Sequence, residues 1–289
     1  MKGKTLSAAS ILFVIFIVIT SCVSSPPSSD ENNENAVTKV AEAVQKAWEI
    51  QGDLYIMAVG INEYSSNVFS NLKYAANDAK TICDLFGAQA GKIFGSVKTL
   101  LIADKESITP TKENILSNLD FFKDAGEKDT AIIFIASHRI IIDNTFYIMS
   151  SDSQHNSDEG FILSSFININ DILNKLDFNG NKILIIDTSA PEIAKDGNFT
   201  VIRACKENEQ AIESSTYNGG LLTASIQDAF EKIETEYGLI TIGALFDYAV
   251  KRVGEMSDRK QTPVLNAASN AKDIVIGLVI GSRLDFLNN

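Results

Sequence analysis

The chain has 289 residues, 45% of them hydrophobic and 21% charged, which excludes a disordered or fibrous protein and suffices for one sizeable core. A formal charge of −12 argues against nucleic acid and anionic lipid surfaces as partners. Basic peptides suit it better, although charge this diffuse is ordinarily a solvated surface.

Lys2 and Lys4, an apolar run from Ile11 to Ile19, and then Thr20 and Ser21 ahead of Cys22 follow the order of an export signal. The run is short for a membrane span. Residues 23–35 are almost without apolar side chains and predict a flexible tether. Ala36 to Ile50 predicts a leading helix, with Val37, Val40, Val44, Ala47 and Trp48 as its apolar stripe. The folded domain is expected over 36–289.

Leu54 to Ile61 is an apolar run of strand length ended by Asn62, and helical periodicity follows from Ala75 to Phe86. Val97 to Ile102 predicts a second strand. Thr109-Pro110-Thr111 then starts a helix with a stripe through Ile115, Leu119 and Phe122. Thr130 to Ala136 predicts a third strand. Ile140 to Ile142 and Phe146 to Met149, flanking Asp143-Asn144-Thr145, predict an inserted hairpin. A polar crossover, Gln154 to Gly160, and a helix over Asp171 to Leu176 lead to a fourth strand, Lys182 to Ile186. Phe199 to Ala204 predicts another strand, Gly220 to Ile233 and Thr241 to Met256 two helices, and Ile274 to Ile280 a last strand. Strands this continuously apolar are covered on both faces, and their alternation with helices predicts a largely parallel sheet in an α/β fold.

Once a leader ending at Cys22 is set aside, the thiols are Cys83, in a helical pattern, and Cys205, at the end of a strand pattern. Two buried free thiols are expected. No His/Cys set has zinc spacing, so neither metal nor cofactor is expected. His155 falls in a polar loop and is expected in solvent.

Ligands of open parallel sheets bind beyond the carboxyl ends of the strands. Ser137-His138-Arg139 follows the third strand and Asp187-Thr188-Ser189-Ala190-Pro191 the fourth. A histidine and a hydroxyl there are the parts nucleophilic hydrolysis needs. By spacing alone, such residues are more often loop and capping residues.

Several segments, in order, resemble the caspase/metacaspase family of clan CD cysteine peptidases. Ala58 to Tyr64 is similar to its opening strand, and Leu72-Lys73-Tyr74-Ala75-Ala76-Asn77-Asp78-Ala79 to its L-x-x-A-x-N-D-A element. Thr111 to Leu119 resembles the helix before its histidine strand, Asp129 to His138 that strand, and Asp152 an aspartate after its hairpin. Lys182 to Ser189 resembles the strand ending in D-[A/S]-C-H-S-G. Gly219-Gly220-Leu221-Leu222-Thr223 resembles a helix start, and Lys260-Gln261-Thr262-Pro263 the Q-x-P stretch before the closing strand. The resemblance implies a caspase-like three-layer α/β/α sandwich. It puts His138 at the general-base position and Ser189 at that of the nucleophilic cysteine.

Four departures cluster there: Ser189 itself, Arg139 for a glycine, and Ala190 and Pro191 for H-S. A serine hydroxyl ionises far less readily than a thiol and needs a closely placed, oriented base; no compensating base or orienting carboxylate is visible. Arg139 has the bulk to occupy the cleft, with solvent as its alternative direction, and Pro191 lacks a backbone donor. The resemblance also implies an acidic pocket for an Arg or Lys side chain, made by Asp78 and Asp187. The structural alternative makes Asp78 a favourable first-turn carboxylate and Asp187 a strand cap. Asp143, Asp152, Asp158 and Glu159 suggest the calcium sensitivity of some metacaspases but lack a calcium loop's spacing.

The expectation is a caspase-like pseudopeptidase that binds a peptide or protein. The alternative is an endopeptidase cleaving after Arg or Lys with Ser189 and His138. Ile19-Thr20-Ser21-Cys22 resembles a bacterial lipobox, which implies a lipid anchor on Cys22 after removal of the preceding segment, with an uncleaved anchor or ordinary signal peptide as alternatives. Residues 1–22 are then signal peptide and lipobox. The protein is expected in the cell envelope, held to the bilayer by acyl chains, with the outer membrane favoured because Val23 is not aspartate.

Overall fold

The computed structural model describes residues 52–193, 199–235 and 238–281. The expected signal, lipobox with Cys22, tether and leading helix with Trp48 lie outside the described residues. Six strands form the main sheet: β1 (Leu54–Gly60), β2 (Val97–Ala103), β3 (Thr130–Ala136), β4 (Asn181–Ser189), β5 (Thr200–Cys205) and β6 (Val264–Asn266). Their spatial order is β2-β1-β3-β4-β5-β6, and every pair is parallel except β5 with β6.

Helices α1 (Ala75–Gly87), α2 (Lys112–Ser117), α3 (Ile169–Leu173), α4 (Leu221–Lys232) and α5 (Ile242–Met256) flank the sheet. β1 and β3 are buried at every position because both faces are covered. Tyr55, Met57 and Val59 share a core with Ile115, Leu119, Phe166 and Ile172. Leu54, Ile56 and Ala58 point to the opposite face by strand alternation and are equally buried. There α1 packs on β1, and its Phe86 meets Phe230 of α4 edge-on, with ring centres 5.2 Å apart. Each fully buried side chain of this kind stabilises the fold by about 1.5–3 kcal/mol. The three-layer α/β/α architecture and mostly parallel sheet are as expected.

Several local expectations change. The fourth strand runs three residues beyond Ile186 and ends on Ser189, so Asp187 and Ser189 lie on the sheet itself. The last strand of the main sheet is Val264–Asn266; Val275–Leu278 instead pairs with Leu239–Thr241 in a separate ribbon. The antiparallel β6 directly follows the Lys260–Pro263 stretch that resembles the one before the family's closing strand; its three residues are too few to show a period of their own. The hairpin is formed by Arg139–Ile142 and Thr145–Ile148 and turns on two residues, Asp143 (φ 49°) and Asn144 (φ 58°), whose side chains tolerate that left-handed backbone. The polar crossover carries a ribbon of His155–Asn156 with Gly160–Phe161, and His155, half-buried, packs edge-on to Phe161 instead of lying in solvent. Among the described residues no helix is long and apolar enough to cross a membrane.

Candidate active site

β1, β2 and β3 end level, with Gly60 beside Ala103 and Ala136. That edge, with the overhanging end of β4, walls a cleft of about 310 Å³ lined by Asp78, His138, Arg139, Asp187, Ser189 and Glu213. The structure therefore brings together all four sequence-predicted site residues among the described ones.

His138 is fixed by its backbone before its ring is considered. Its N–H donates to the Tyr64 hydroxyl at 2.8 Å, and its carbonyl accepts from Met149 N at 3.0 Å. The imidazole stacks on the Tyr64 ring, centroids 5.1 Å apart at 30°. Nε2 lies 2.7 Å from the Ser70 carbonyl. A carbonyl only accepts, so Nε2 carries the proton and Nδ1 is the basic nitrogen of the neutral ring. His138 thus has an orienting partner that the sequence reading missed, since a backbone carbonyl leaves no mark in residue identities.

Ser189 is 9% exposed. Arg139, first residue of the hairpin, donates from Nε to the Ser189 carbonyl at 2.9 Å and to its Oγ at 3.2 Å, and from Nη2 to Oγ at 2.8 Å. A longer contact of 3.4 Å reaches the Glu207 carbonyl. The Oγ lone pairs are thus directed at a cation, and no base accepts the hydroxyl proton among the described residues. The ladder between β4 and β5 slips between the pairs Ile186–Arg203 and Ser189–Cys205, a bulge of the kind that re-aims side chains at sites. Below it, buried Arg203 donates to the Ala190 carbonyl at 2.7 Å and to Asn266 Oδ1 at 2.9 Å. Cys205, beside Ser189 in the ladder, and Cys83 are buried free thiols, as expected. Burial pushes both up to about 12, so neither is a thiolate at neutral pH.

Asp78 and Asp187 converge on the amino end of α4. Asp78 accepts from Gly220 N through both carboxylate oxygens, at 3.1 and 3.0 Å. Asp187 accepts from the Thr223 hydroxyl at 2.9 Å. A Cβ on Gly220 would lie 2.6 Å from Asp187 Oδ2 and 3.2 Å from Asp78 Oδ2, so the carboxylates meet over a residue with no side chain. Asp78 does lie in the first turn of α1, but its partner is Gly220, the residue just ahead of α4. Asp187 sits within β4 rather than capping it. Burial, then the neighbouring Asp187, holds the Asp78 carboxyl up to about 8, while burial, opposed by the Thr223 bonds, holds Asp187 up to about 6. The pair therefore retains proton at neutral pH.

Glu213 was not anticipated. Its carboxylate accepts from Lys73 N and Tyr74 N, at 3.0 and 2.8 Å, just before α1, and adds a third acid to this end of the cleft. No sequence period marks it, because it is 139 residues from Tyr74 in the chain. Asp152, expected after the hairpin, accepts from Lys112 N at 2.9 Å and so caps α2. Among the described residues no group of three or more His, Cys, Asp or Glu is placed to hold a metal.

Comparison with known proteins bears on the family and the fold. A stretch of 82 residues, 28% of the chain, is 32% identical to plasmepsin I of two isolates of Plasmodium falciparum. The chain spans only 18% of that protein's length, and no activity is carried over from it. The crystal structure of protein GSU0716 from Geobacter sulfurreducens superposes with a TM-score of 0.58 at 10% identity, covering 78% of this chain and 99% of that one; this likeness concerns the fold alone. The family model for the caspase domain matches residues 55–275, from the first strand to the two-stranded ribbon, and the chain belongs to the caspase domain family of peptidases.

Proposed function

We propose that this domain binds a peptide or protein without hydrolysing it, taking an Arg or Lys side chain against Asp78 and Asp187, at a bacterial cell envelope to which Cys22 is lipid-anchored. Membership of a peptidase family makes peptide or protein the class of ligand. The observation that carries the loss of turnover is the contact of Arg139 with Ser189 Oγ. Attack on a carbonyl needs an oxygen lone pair free and a base on the hydroxyl proton, and a guanidinium supplies neither.

A second reading, an endopeptidase with Ser189 as nucleophile and His138 as base, draws on one observation. The Ser70 carbonyl orients the imidazole and leaves Nδ1 basic. One experiment separates the two. The full-length protein is incubated with fluorogenic peptides ending in Arg, Lys or Asp, with and without calcium, beside Ser189→Ala and His138→Ala. Absence of turnover in the unaltered protein is expected; turnover that disappears in both variants would establish the endopeptidase.

A further inference from the structure

The cleft carries opposite charges at its two ends, and among the described residues each lacks a counter-ion. No ion pair there joins Arg139 to a carboxylate, and none joins Asp78, Asp187 or Glu213 to a cation. The hydrogen bonds of the guanidinium go to a hydroxyl and to carbonyls, leaving its Nη1 edge without a bond to any described residue. The Ser189 hydroxyl receives two donors, so its own proton is available to an acceptor. An unpaired guanidinium beside a free O–H is a carboxylate site in the making. In a chain of charge −12, a part-buried cation without an ion pair among the described residues also departs from the general composition.

The spacing fits one kind of ligand. Asp187 and Ser189 are two residues apart on β4, hence no more than about 7 Å along the chain. An arginine or lysine side chain reaches about as far from its own α-carbon. A residue whose cationic end meets Asp78 and Asp187 therefore places its α-carbon, and any carboxylate on it, beside Ser189 and Arg139.

We infer that the cleft recognises peptides whose last residue is Arg or Lys, the acidic end taking the side chain while Arg139 and the Ser189 hydroxyl take the free terminal carboxylate. This rests on the acidic-pocket reading proposed above and makes it more specific. An internal Arg offers only a neutral carbonyl at that point and leaves the guanidinium unneutralised. Peptides with a new basic C-terminus are what cleavage after Arg or Lys releases, so such a cleft receives products of that class of reaction.

The test uses the full-length protein in detergent and a fluorescein-labelled hexapeptide ending in arginine, read by fluorescence anisotropy. The free acid is compared with its C-terminal amide and with a peptide ending in citrulline, which keeps the shape but not the charge. The long-range field of an acidic protein favours the amide, so preference for the acid has to be local. We expect the acid to bind about tenfold or more tightly than the amide. Arg139→Gln should bring the two within about twofold while keeping the preference for arginine over citrulline. Equal binding of acid and amide, both tighter than citrulline, would overturn the carboxylate inference and leave the acidic pocket standing. Arginine and citrulline peptides binding alike would overturn the pocket reading beneath it. The acid and amide comparison on the unaltered protein decides even if Arg139→Gln does not fold.

Discussion

Arg139 and Ser189 are joined side chain to side chain and side chain to backbone, Nη2 lying 2.8 Å from Oγ and Nε 2.9 Å from the serine carbonyl. The arginine opens the hairpin and the serine ends β4, so the contact ties two elements together across the mouth of the cleft. On the proposed reading, a thiol at position 189 alone should therefore not give turnover. Ser189→Cys is expected to stay inactive on Arg and Lys peptides, whereas Ser189→Cys with Arg139→Gly should exceed either single variant by about a hundredfold, the scale of a recovered oriented base. Fluorophore release under single-turnover conditions measures it, and equal rates in the single and double variants would refute the blocking role.

Protonation in the acidic pair has a sign that follows from its burial. The Asp78 carboxyl titrates near 8 in the folded protein against an ordinary 3.8, so between those values the native state holds more proton than the unfolded chain. Stability contributed by the group is greatest below about pH 4 and falls as pH rises toward 8. Asp78→Asn keeps an acceptor for Gly220 N and removes the charge. It should be more stable than the unaltered protein at pH 8.5 by about 1–3 kcal/mol, the difference shrinking toward pH 4. Urea unfolding at both pH values checks it.

On the proposed reading the same titration governs ligand binding. A cationic side chain needs the charged pair, so affinity for an arginine peptide is expected to rise about tenfold between pH 5.5 and 8.5. Asp187→Asn should flatten that profile. A pH-independent affinity in the unaltered protein would show that the basic residue does not contact this pair.

Much of the architecture was legible because the strands that hold the site are long and continuously apolar. β1 and β3 were placed at their amino ends to the residue, since seven buried positions in a row leave little room for another element. His138, Ser189, Asp78 and Asp187 could be brought to one cleft from strand order and resemblance. The partners that give them their chemistry could not. The Ser70 carbonyl on His138 and the Gly220 N–H on Asp78 are backbone groups, and Glu213 arrives from a distant polar stretch. That Arg139 turns onto Ser189 rather than into solvent is a matter of side-chain direction, which no periodicity encodes.

Packing at the end of β1 gives a stability test independent of the site's charges. A Cβ on Gly60 would lie 2.2 Å from the Ala75 carbonyl oxygen, and both sides of that contact are backbone, so neither can swing away. Gly60→Ala is expected to cost about 3 kcal/mol or more, read as a lowered urea midpoint. A loss under about 0.5 kcal/mol would contradict so close an approach of α1 to the strand.

The proposed anchor has its own measurement. In cell fractionation the unaltered protein should sediment with membranes and Cys22→Ala should become soluble or retain its leader. A soluble unaltered protein would rule out the anchor.

Gly60 sets how near α1 comes to the sheet, and Gly219 and Gly220 leave the room that Asp78 and Asp187 occupy. The dimensions of the cleft floor are thus fixed by three residues that have no side chains, while the chemistry at its mouth rests on two that do, Arg139 and Ser189. On the reading proposed above, exchange of those two alone would convert a cutting surface into a holding one, or back, without altering the size or charge of what the floor accepts.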